Sequence, residues 1–244
     1  MFMDYFYSYW LYLVIVGPTL IFAIAAQAKV KNNFNTYSRV LSQRRLTGAN
    51  AAQMVLDFYG IQNVRIERVA GKLSDHYDPR TNVIRLSDAV FSSCSVAAIG
   101  VACHEAGHAA QHAQNYAPIK LRNSIIPVCN IGSYLGIPLA CIGLFMDNGI
   151  LIDIGLILYS LVAVFQFVTL PVEFNASRRA IDVISQANIL NENEIIGTRK
   201  VLSAAAMTYV AALATSLANL LRFIILFGGR GKRDWWKNKI YRDK

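Results

Sequence analysis

The chain has 244 residues, of which 55% are hydrophobic and only 16% are charged. This composition is too apolar for a typical soluble protein and favours a membrane protein. The formal net charge is +9, but the basic residues cluster beside apolar runs, as they do at a cytoplasmic membrane face. We therefore expect no nucleic-acid partner. The four cysteines form no Cys-x-x-Cys pair and predict no disulfide framework.

The first apolar segment, residues 5–28, carries no charge and is long enough to span a bilayer. A cleaved signal peptide is the alternative, but Asp4 stands where such a peptide carries basic residues, and the apolar run is too long. Five basic residues follow the segment: Lys29, Lys31, Arg39, Arg44 and Arg45. By the positive-inside rule, they place the amino terminus outside and residues 29–120 in the cytoplasm.

The residues whose spacing dictates a chemistry are His104, Glu105 and His108, which form H-E-x-x-H within a predicted helix, 95–115. Helical residues four apart are separated by about 40° and roughly 6 Å of rise, so both imidazoles can reach one metal ion. Glu105 lies about 100° round from His104, close enough to hold a metal-bound water without being a ligand. The motif predicts a zinc site with Glu105 as general base; two histidines of an ordinary helix are the alternative.

His112 extends the histidine series but does not fit the same ion. It lies roughly 12 Å along the helix axis from His104, whereas zinc–ligand bonds are about 2 Å long. We interpret His112 as a residue that flanks the site.

A small sheet is predicted before the metal-binding helix. Residues 46–59 form a short helix with Thr47 as its N-cap. Val64–Ala70 and Asn82–Ser87 then alternate as strands around a polar stretch, which predicts a small sheet or hairpin. In zinc peptidases the strand before the metal helix commonly pairs with an extended substrate, so Val83–Leu86 is the candidate edge strand. An ordinary structural hairpin is the alternative.

Two further apolar runs, residues 125–146 and 149–171, predict transmembrane helices two and three. A tight turn at Asp147 separates them, and within the second run only Asp153 carries a charge. Together they form a hairpin that returns the chain to the cytoplasm at Pro171.

The chain returns next to a candidate third ligand, Glu173. A zinc ion held by two histidines needs at least one more protein ligand and keeps one position for water. Pro171 at a helix start would place Glu173 in the first turn of a helix within 172–200. The alternative is a glutamate that only stabilises the helix dipole.

The last apolar helix, residues 201–227, is interrupted only by Arg222 and precedes a basic tail, 228–244. If this helix is a fourth transmembrane span, the tail lies outside, against the positive-inside rule. If it packs in the catalytic part or on the membrane surface, the tail stays cytoplasmic and binds anionic lipid. Both interpretations stay open.

The chain resembles the membrane-bound neutral zinc metallopeptidase family typified by bacterial YugP, which is more distantly similar to the HtpX and CAAX prenyl protease group. The matching stretches are, in order, LSDHYDPRTNVIRLS, SVAAIGVACHEAGHAAQH and LPVEFNASRRA. The resemblance implies a mostly α, multi-pass membrane protein with a zincin-like (gluzincin) α+β catalytic domain that carries a small sheet. It also implies Zn²⁺ as cofactor, held by His104, His108 and Glu173, with Glu105 as the catalytic base.

Three further residues gain candidate roles from this resemblance. The HtpX group usually carries an aspartate four residues after its ligand glutamate, which orients a histidine. This chain has Ser177 there, and its hydroxyl could substitute weakly. His76 and Tyr77 are neutral donors that could stabilise a tetrahedral oxyanion; a structural turn is the alternative.

These features predict a membrane-anchored zinc endopeptidase at the cytoplasmic face of the cell (inner) membrane. Its predicted partners are the lipid bilayer and a protein or peptide substrate, and similar families suggest membrane or misfolded proteins. Two alternatives remain open. A site-2-type intramembrane protease would use Asp147 or Asp153 as third ligand, although the polar flanks of the motif argue against it. In a zinc-stabilised membrane scaffold without enzymatic activity, Glu105→Gln would change nothing measurable.

Overall fold

The computed structural model describes residues 2–71 and 74–242, with side chains described for residues 9–71 and 74–226. The described chain is mostly helical and contains one small sheet. The helices are α1 (Phe2–Ile15), α2 (Gly17–Tyr37), α3 (Gly48–Phe58), α4 (Asp88–Phe91), α5 (Val96–Ala113), α6 (Ala117–Phe145), α7 (Gly149–Gln186) and α8 (Glu192–Arg242). The strands are β1 (Arg65–Val69), β2 (His76–Asp78) and β3 (Val83–Ser87).

The first apolar segment contains a break. Helices α1 and α2 meet at Val16, and the axes of Tyr9–Ile15 and Gly17–Tyr37 differ by 45°. Pro18 has no amide hydrogen to donate to the carbonyl four residues earlier, which favours a bend at this point. The predicted first span, 5–28, therefore covers two helices that meet at a bend, and the second of them continues to Tyr37.

The chain divides into two compact units. The helical unit comprises Met1–Ile24, Leu121–Val168 and Tyr209–Lys244, and the sheet unit comprises Ala25–Lys120 and Thr169–Thr208. Helices α2, α6, α7 and α8 therefore each contribute residues to both units.

Among the residues that the structure describes, three helices are long and apolar enough to cross a membrane: Ala117–Phe145, Gly149–Gln186 and Glu192–Leu226. The bent pair α1–α2 would be a fourth crossing if it is counted as one span. The predicted basic tail, 228–244, lies outside the residues whose side chains the structure describes.

Within the helical unit, glycines bring α6 and α7 into close contact. A Cβ atom added at Gly136 would lie 2.7 Å from the amide nitrogen of Tyr159, and one added at Gly155 would lie 2.7 Å from the carbonyl oxygen of Gly136. With Gly132, Gly136 forms the Gly-x-x-x-Gly spacing that lets helix backbones approach in membranes. The two helices are joined by a turn in which Asp147 has a φ of 51°.

The sheet has a strand order that the sequence did not predict. β3 lies in the middle, parallel to β1 and antiparallel to β2, so the order is β1-β3-β2. The third strand, β2, comes from the polar stretch between the two predicted strands, and it forms the hairpin with β3. The prediction of Val83–Leu86 as a substrate-binding edge is therefore wrong, because both sides of β3 are already paired. Four of the five residues of β3 are buried, as expected for a central strand.

The core of the sheet unit lies between the sheet, α3 and α5. Leu56, Ile84 and Ile99 are fully buried there, and each such side chain contributes about 1.5–3 kcal/mol relative to an exposed position. The predicted cap of α3 is confirmed, because the Thr47 hydroxyl accepts a hydrogen bond of 3.1 Å from the amide of Asn50.

The helix that carries Glu173 does not begin at Pro171, so the predicted placement of Glu173 in a first turn is wrong. Pro171 lies inside α7, which continues from Gly149 to Gln186. A proline removes one backbone hydrogen bond and can bend a helix without ending it when packing holds the following turn. Packing of this kind is present, since the turn after Glu173 lies against α5.

Candidate metal centre

Helix α5 presents both histidines of the motif on one face. The helix starts at a Ser95 N-cap, whose hydroxyl accepts a hydrogen bond of 3.2 Å from the amide of Ala98. The imidazoles of His104 and His108 follow one turn apart, with ring centroids 4.8 Å apart and ring planes at 83°. Their Nε2 atoms approach the same carboxylate, as the four-residue spacing predicts.

That carboxylate belongs to Glu173 of α7. Its Oε2 atom lies 3.3 Å from His104 Nε2 and 3.6 Å from His108 Nε2. Zinc bonds of about 2.0–2.2 Å in tetrahedral geometry place neighbouring ligand atoms roughly 3.3–3.6 Å apart. Among the described residues, these three side chains form a group able to hold one metal ion. Two imidazoles and one carboxylate are also a donor set that zinc favours in catalytic sites.

Gly107 allows α7 to come this close to α5. A Cβ atom at residue 107 would lie 2.7 Å from the carbonyl oxygen of Ala176, closer than real Cβ contacts. Gly107 lies between the two histidines, and Ala176 lies one turn after Glu173. The lack of a side chain at Gly107 therefore sets the distance between the histidine pair and the glutamate.

The electrostatics of the group favour an ionised Glu173 carboxylate beside a His108 imidazole whose pKa is raised. Burial by itself would raise the pKa of Glu173, but hydrogen bonds from His104 and His108 and their charge hold it well below its ordinary value. Burial would lower the pKa of His108, but the hydrogen bond with Glu173 and the charges of Glu105 and Glu173 raise it. The Glu173 carboxylate therefore stabilises positive charge on the neighbouring imidazole of His108.

Each histidine has a hydrogen-bond partner behind it. His104 Nδ1 lies 3.1 Å from Ser177 Oγ, so the structure brings Ser177 to the ligand that the sequence analysis expected it to orient. His108 Nδ1 lies 3.0 Å from Gln111 Oε1. Such partners fix the tautomer and the orientation of the ring, so that Nε2 faces the metal position.

Gln111 also joins the two helices that carry the ligands. Its Nε2 atom donates to the carbonyl oxygen of Val172 at 2.8 Å and to Asn175 Oδ1 at 3.0 Å. Because Nε2 donates to a backbone carbonyl, Oε1 is the atom that accepts from His108, and the amide orientation is determined. Asn175 Oδ1 accepts a second hydrogen bond, 2.8 Å long, from Arg179 Nε.

The carboxylate of Glu105 is held by the edge strand β2. Its Oε2 atom accepts a hydrogen bond of 3.0 Å from the backbone N–H of Tyr77. The Tyr77 hydroxyl donates to Asn82 Oδ1 at 3.0 Å and lies 3.0 Å from His112 Nδ1. Burial, and then the charge of Asp78, raise the pKa of Tyr77 to about 12, so the hydroxyl stays protonated at neutral pH.

His76 is the first residue of β2 and precedes Tyr77. Its ring is exposed, and Nδ1 lies 2.7 Å from the carbonyl oxygen of Ser74. Its Nε2 atom lies 3.5 Å from the guanidinium of Arg85. No contact is recorded between the His76 ring and the histidine–glutamate group, so its candidate role as an oxyanion donor stays a prediction.

The aspartates of the intramembrane alternative belong to the other compact unit. Asp147 and Asp153 fall within Leu121–Val168, whereas His104, His108 and Glu173 fall in the sheet unit. Among the described residues, the group that could hold a metal ion contains the two histidines and Glu173, and it contains neither aspartate.

Gln111 and Asn175 were not predicted from the sequence. A signal for Gln111 was present, because it follows His108 by three residues and so shares its helix face. Asn175 gave no comparable signal, since its contact with Gln111 joins residues 64 positions apart and depends on the packing of α5 against α7.

Comparison with known proteins agrees with this donor set. A profile of the family described as "Putative neutral zinc metallopeptidase" matches residues 12–228. The chain is 48% identical over 202 residues to "Putative membrane protease YugP" of Bacillus subtilis (strain 168), which covers 83% of this chain and 90% of the relative. No solved structure matches the chain significantly. Because the profile extends over most of the sequence, the chain belongs to this family of neutral zinc metallopeptidases.

Proposed function

We propose that this protein is a membrane-anchored, zinc-dependent endopeptidase of the gluzincin type, with a zincin-like catalytic domain. In this proposal His104, His108 and Glu173 hold the zinc ion, and Glu105 is the catalytic base. The observation that carries the proposal is the convergence of three ligand atoms from α5 and α7 beside a carboxylate that is not part of the ligand group.

Zinc, when bound, would lower the pKa of a coordinated water to about 7 and polarise a peptide carbonyl. Glu105 would take the water proton on its carboxylate and later deliver it to the amine of the leaving peptide. The Tyr77 N–H bond to Oε2 supports this role, because it restrains one oxygen of the carboxylate and leaves the other for the water. Oε1 is then the oxygen that exchanges the proton.

The two histidines would bind zinc through Nε2 and carry their hydrogen on Nδ1. Gln111 Oε1 and Ser177 Oγ are in position to accept those Nδ1–H groups. A hydroxyl and an amide are neutral acceptors, so they orient the rings without adding negative charge behind the ligands.

The proposed location is the cell membrane, with the catalytic site facing the cytoplasm. Residues 5–28, 125–146 and 149–171 are the proposed spans, and 201–227 within α8 is the candidate fourth. The basic residues that follow the first span support this orientation. A site at that surface favours membrane proteins and misfolded proteins as substrates.

The test is cleavage of an unfolded protein by the zinc-loaded, full-length protein in detergent. Glu105→Gln should abolish cleavage while zinc content stays unchanged, because Glu105 is not a ligand. Glu67→Gln is the matched control, since Glu67 lies on β1 in an ion pair with Arg65. Equal cleavage by the wild type and Glu105→Gln would contradict the proposed role of Glu105. Zinc binding without cleavage by any variant would support the scaffold interpretation.

A further inference from the structure

A second feature of the sheet unit is a cavity of about 270 Å³ between α2 and α8. Its lining residues come from the part of α2 just after the first apolar segment, 5–28, and from the part of α8 around the start of the last one, 201–227. They are Lys29, Asn33, Ile196, Arg199, Lys200 and Ser203. None of them belongs to the candidate metal centre.

The two helices are fixed to each other at this cavity. The Asn33 side chain donates a hydrogen bond of 2.8 Å to the carbonyl oxygen of Lys200. Lys29 lies one turn before Asn33 on α2, so it shares its helix face, and Ser203 lies one turn after Arg199 on α8. The Asn33 hydrogen bond therefore keeps the cationic side chains around the cavity, and it does not involve their charged groups.

Three of the lining side chains are cations, and no acidic residue is among them. Within the described part of the chain, no carboxylate forms an ion pair with Lys29, Arg199 or Lys200. Cations gathered without a counter-charge repel one another, and an anion in the cavity removes that repulsion. A guanidinium and two ammonium groups are the donors that phosphate oxygens favour.

We propose that this cavity binds a phosphate group, and that the headgroup of an anionic phospholipid supplies it. The lining begins at Lys29, one residue after the first apolar segment, and ends at Ser203, the third residue of the last one, so the cavity lies at the ends of both apolar segments. Basic pockets at this level of a membrane protein bind phospholipid headgroups. The volume is below the range of about 300–1,000 Å³ typical of sites for drug-sized ligands, and it suits a headgroup.

The test is direct binding to full-length protein in an uncharged detergent. The probes are dioctanoyl phosphatidylglycerol, dioctanoyl phosphatidylcholine and inorganic phosphate, each followed by titration calorimetry. We expect phosphatidylglycerol to bind at least tenfold more tightly than phosphatidylcholine. The double variant Lys29→Gln/Lys200→Gln should weaken phosphatidylglycerol binding by roughly tenfold or more.

The matched control is Lys31→Gln/Arg39→Gln, which removes two exposed charges from the same region of the chain without changing the lining. It should keep the wild-type affinity within about twofold. Ile196→Glu is a second variant, because residue 196 is 52% exposed and a carboxylate there introduces the wrong charge into the cavity without disturbing the core. It should also lose phosphatidylglycerol binding.

The outcomes separate the two sources of phosphate. If the protein binds phosphatidylglycerol and the cavity variants lose this binding, the ligand is the lipid headgroup. If inorganic phosphate binds as tightly as phosphatidylglycerol, and the cavity variants lose both to the same extent, the ligand is a free phosphate. Equal affinity for the two lipids would overturn the proposal, and so would an equal loss in the control variant. Neither result depends on peptidase activity.

Discussion

Gln111 accepts a hydrogen bond from the proposed ligand His108 and donates one to the residue that precedes the proposed ligand Glu173. Its Oε1 atom lies 3.0 Å from His108 Nδ1, and its Nε2 atom lies 2.8 Å from the carbonyl oxygen of Val172. The side chain is fully buried. One amide therefore orients an imidazole on α5 and positions the backbone of α7 beside the third ligand.

Gln111→Leu should lower the affinity for zinc by about 10–100-fold, because the His108 ring loses the acceptor that fixes its orientation. The affinity is measured by competition with a chelator of known zinc affinity. Gln53→Leu is the control, since Gln53 is exposed on α3 and bonds only to Asp57 among the described contacts. Equal zinc affinity in Gln111→Leu and the wild type would show that packing alone orients His108.

Glu173→Ala should remove zinc from the purified protein, whereas Asp147→Asn and Asp153→Asn should keep it. The reason is geometric, because the Glu173 carboxylate lies 3.3 Å and 3.6 Å from the two Nε2 atoms. Zinc content per chain, measured by elemental analysis, decides between the ligands. Loss of zinc in either aspartate variant with retention in Glu173→Ala would favour the intramembrane alternative.

The sequence was sufficient for the parts of the site that depend on local spacing. His104 and His108 share a face of α5 because they are four residues apart, and this holds in any helix. Glu173 was predicted as the third ligand because zinc requires one, and the structure places it beside both histidines, although its predicted placement at a helix start was wrong. Pro171 was interpreted as a terminus, and only the packing of α7 against α5 reveals that the helix continues.

The order of the strands could not be read from the sequence. Val64–Ala70 and Asn82–Ser87 showed alternation, but β2 has only three residues and is too short to give a pattern. Its position depends on contacts made elsewhere, such as the 2.7 Å bond from the amide of Ser87 to Asp75 Oδ1. A short strand whose position depends on hydrogen bonds made by neighbouring side chains shows no alternation of apolar and polar residues in the sequence.

Gly107→Ala should destabilise the protein by about 1–3 kcal/mol, because the new methyl group meets the carbonyl oxygen of Ala176. We also expect weaker zinc binding, since α7 must move away from the histidines. Both effects are measured on one preparation, by thermal unfolding and by chelator competition. Gly17→Ala is the control, because a Cβ atom there has no neighbour within 4 Å. An unchanged melting temperature in Gly107→Ala would show that the helices are not in tight contact.

Asp78 should make the stability of the β2–β3 hairpin depend on acid pH. Hydrogen bonds from the Thr81 hydroxyl, the Arg80 amide and the Arg85 guanidinium lower its pKa from 3.8 to about 2. Since the folded value is depressed, the stabilisation is complete above the unfolded value and is lost as the pH falls toward 2. Asp78→Asn should therefore lower the melting temperature at about pH 6 and have little effect near pH 2. An equal decrease in melting temperature at both pH values would contradict this dependence of stability on the ionisation of Asp78.

The bond between Tyr77 and Glu105 can be tested with two substitutions at one residue. The backbone N–H of Tyr77 donates to the Glu105 carboxylate, whereas its side chain contacts Asn82 and His112. Tyr77→Ala removes the ring and keeps the N–H group, and Tyr77→Pro removes both. Proline is tolerated on an edge strand where the N–H does not pair in the sheet.

Any difference between these two variants reports on the N–H group. A hydrogen bond to a charged group contributes about 1.5–3 kcal/mol, so kcat of Tyr77→Pro should be at least about tenfold below that of Tyr77→Ala. Zinc content should be equal in both, because neither Tyr77 nor Glu105 is in the ligand group. Equal kcat values would mean that Glu105 is oriented without β2, whereas a drop already complete in Tyr77→Ala would assign the effect to the ring and its contact with His112.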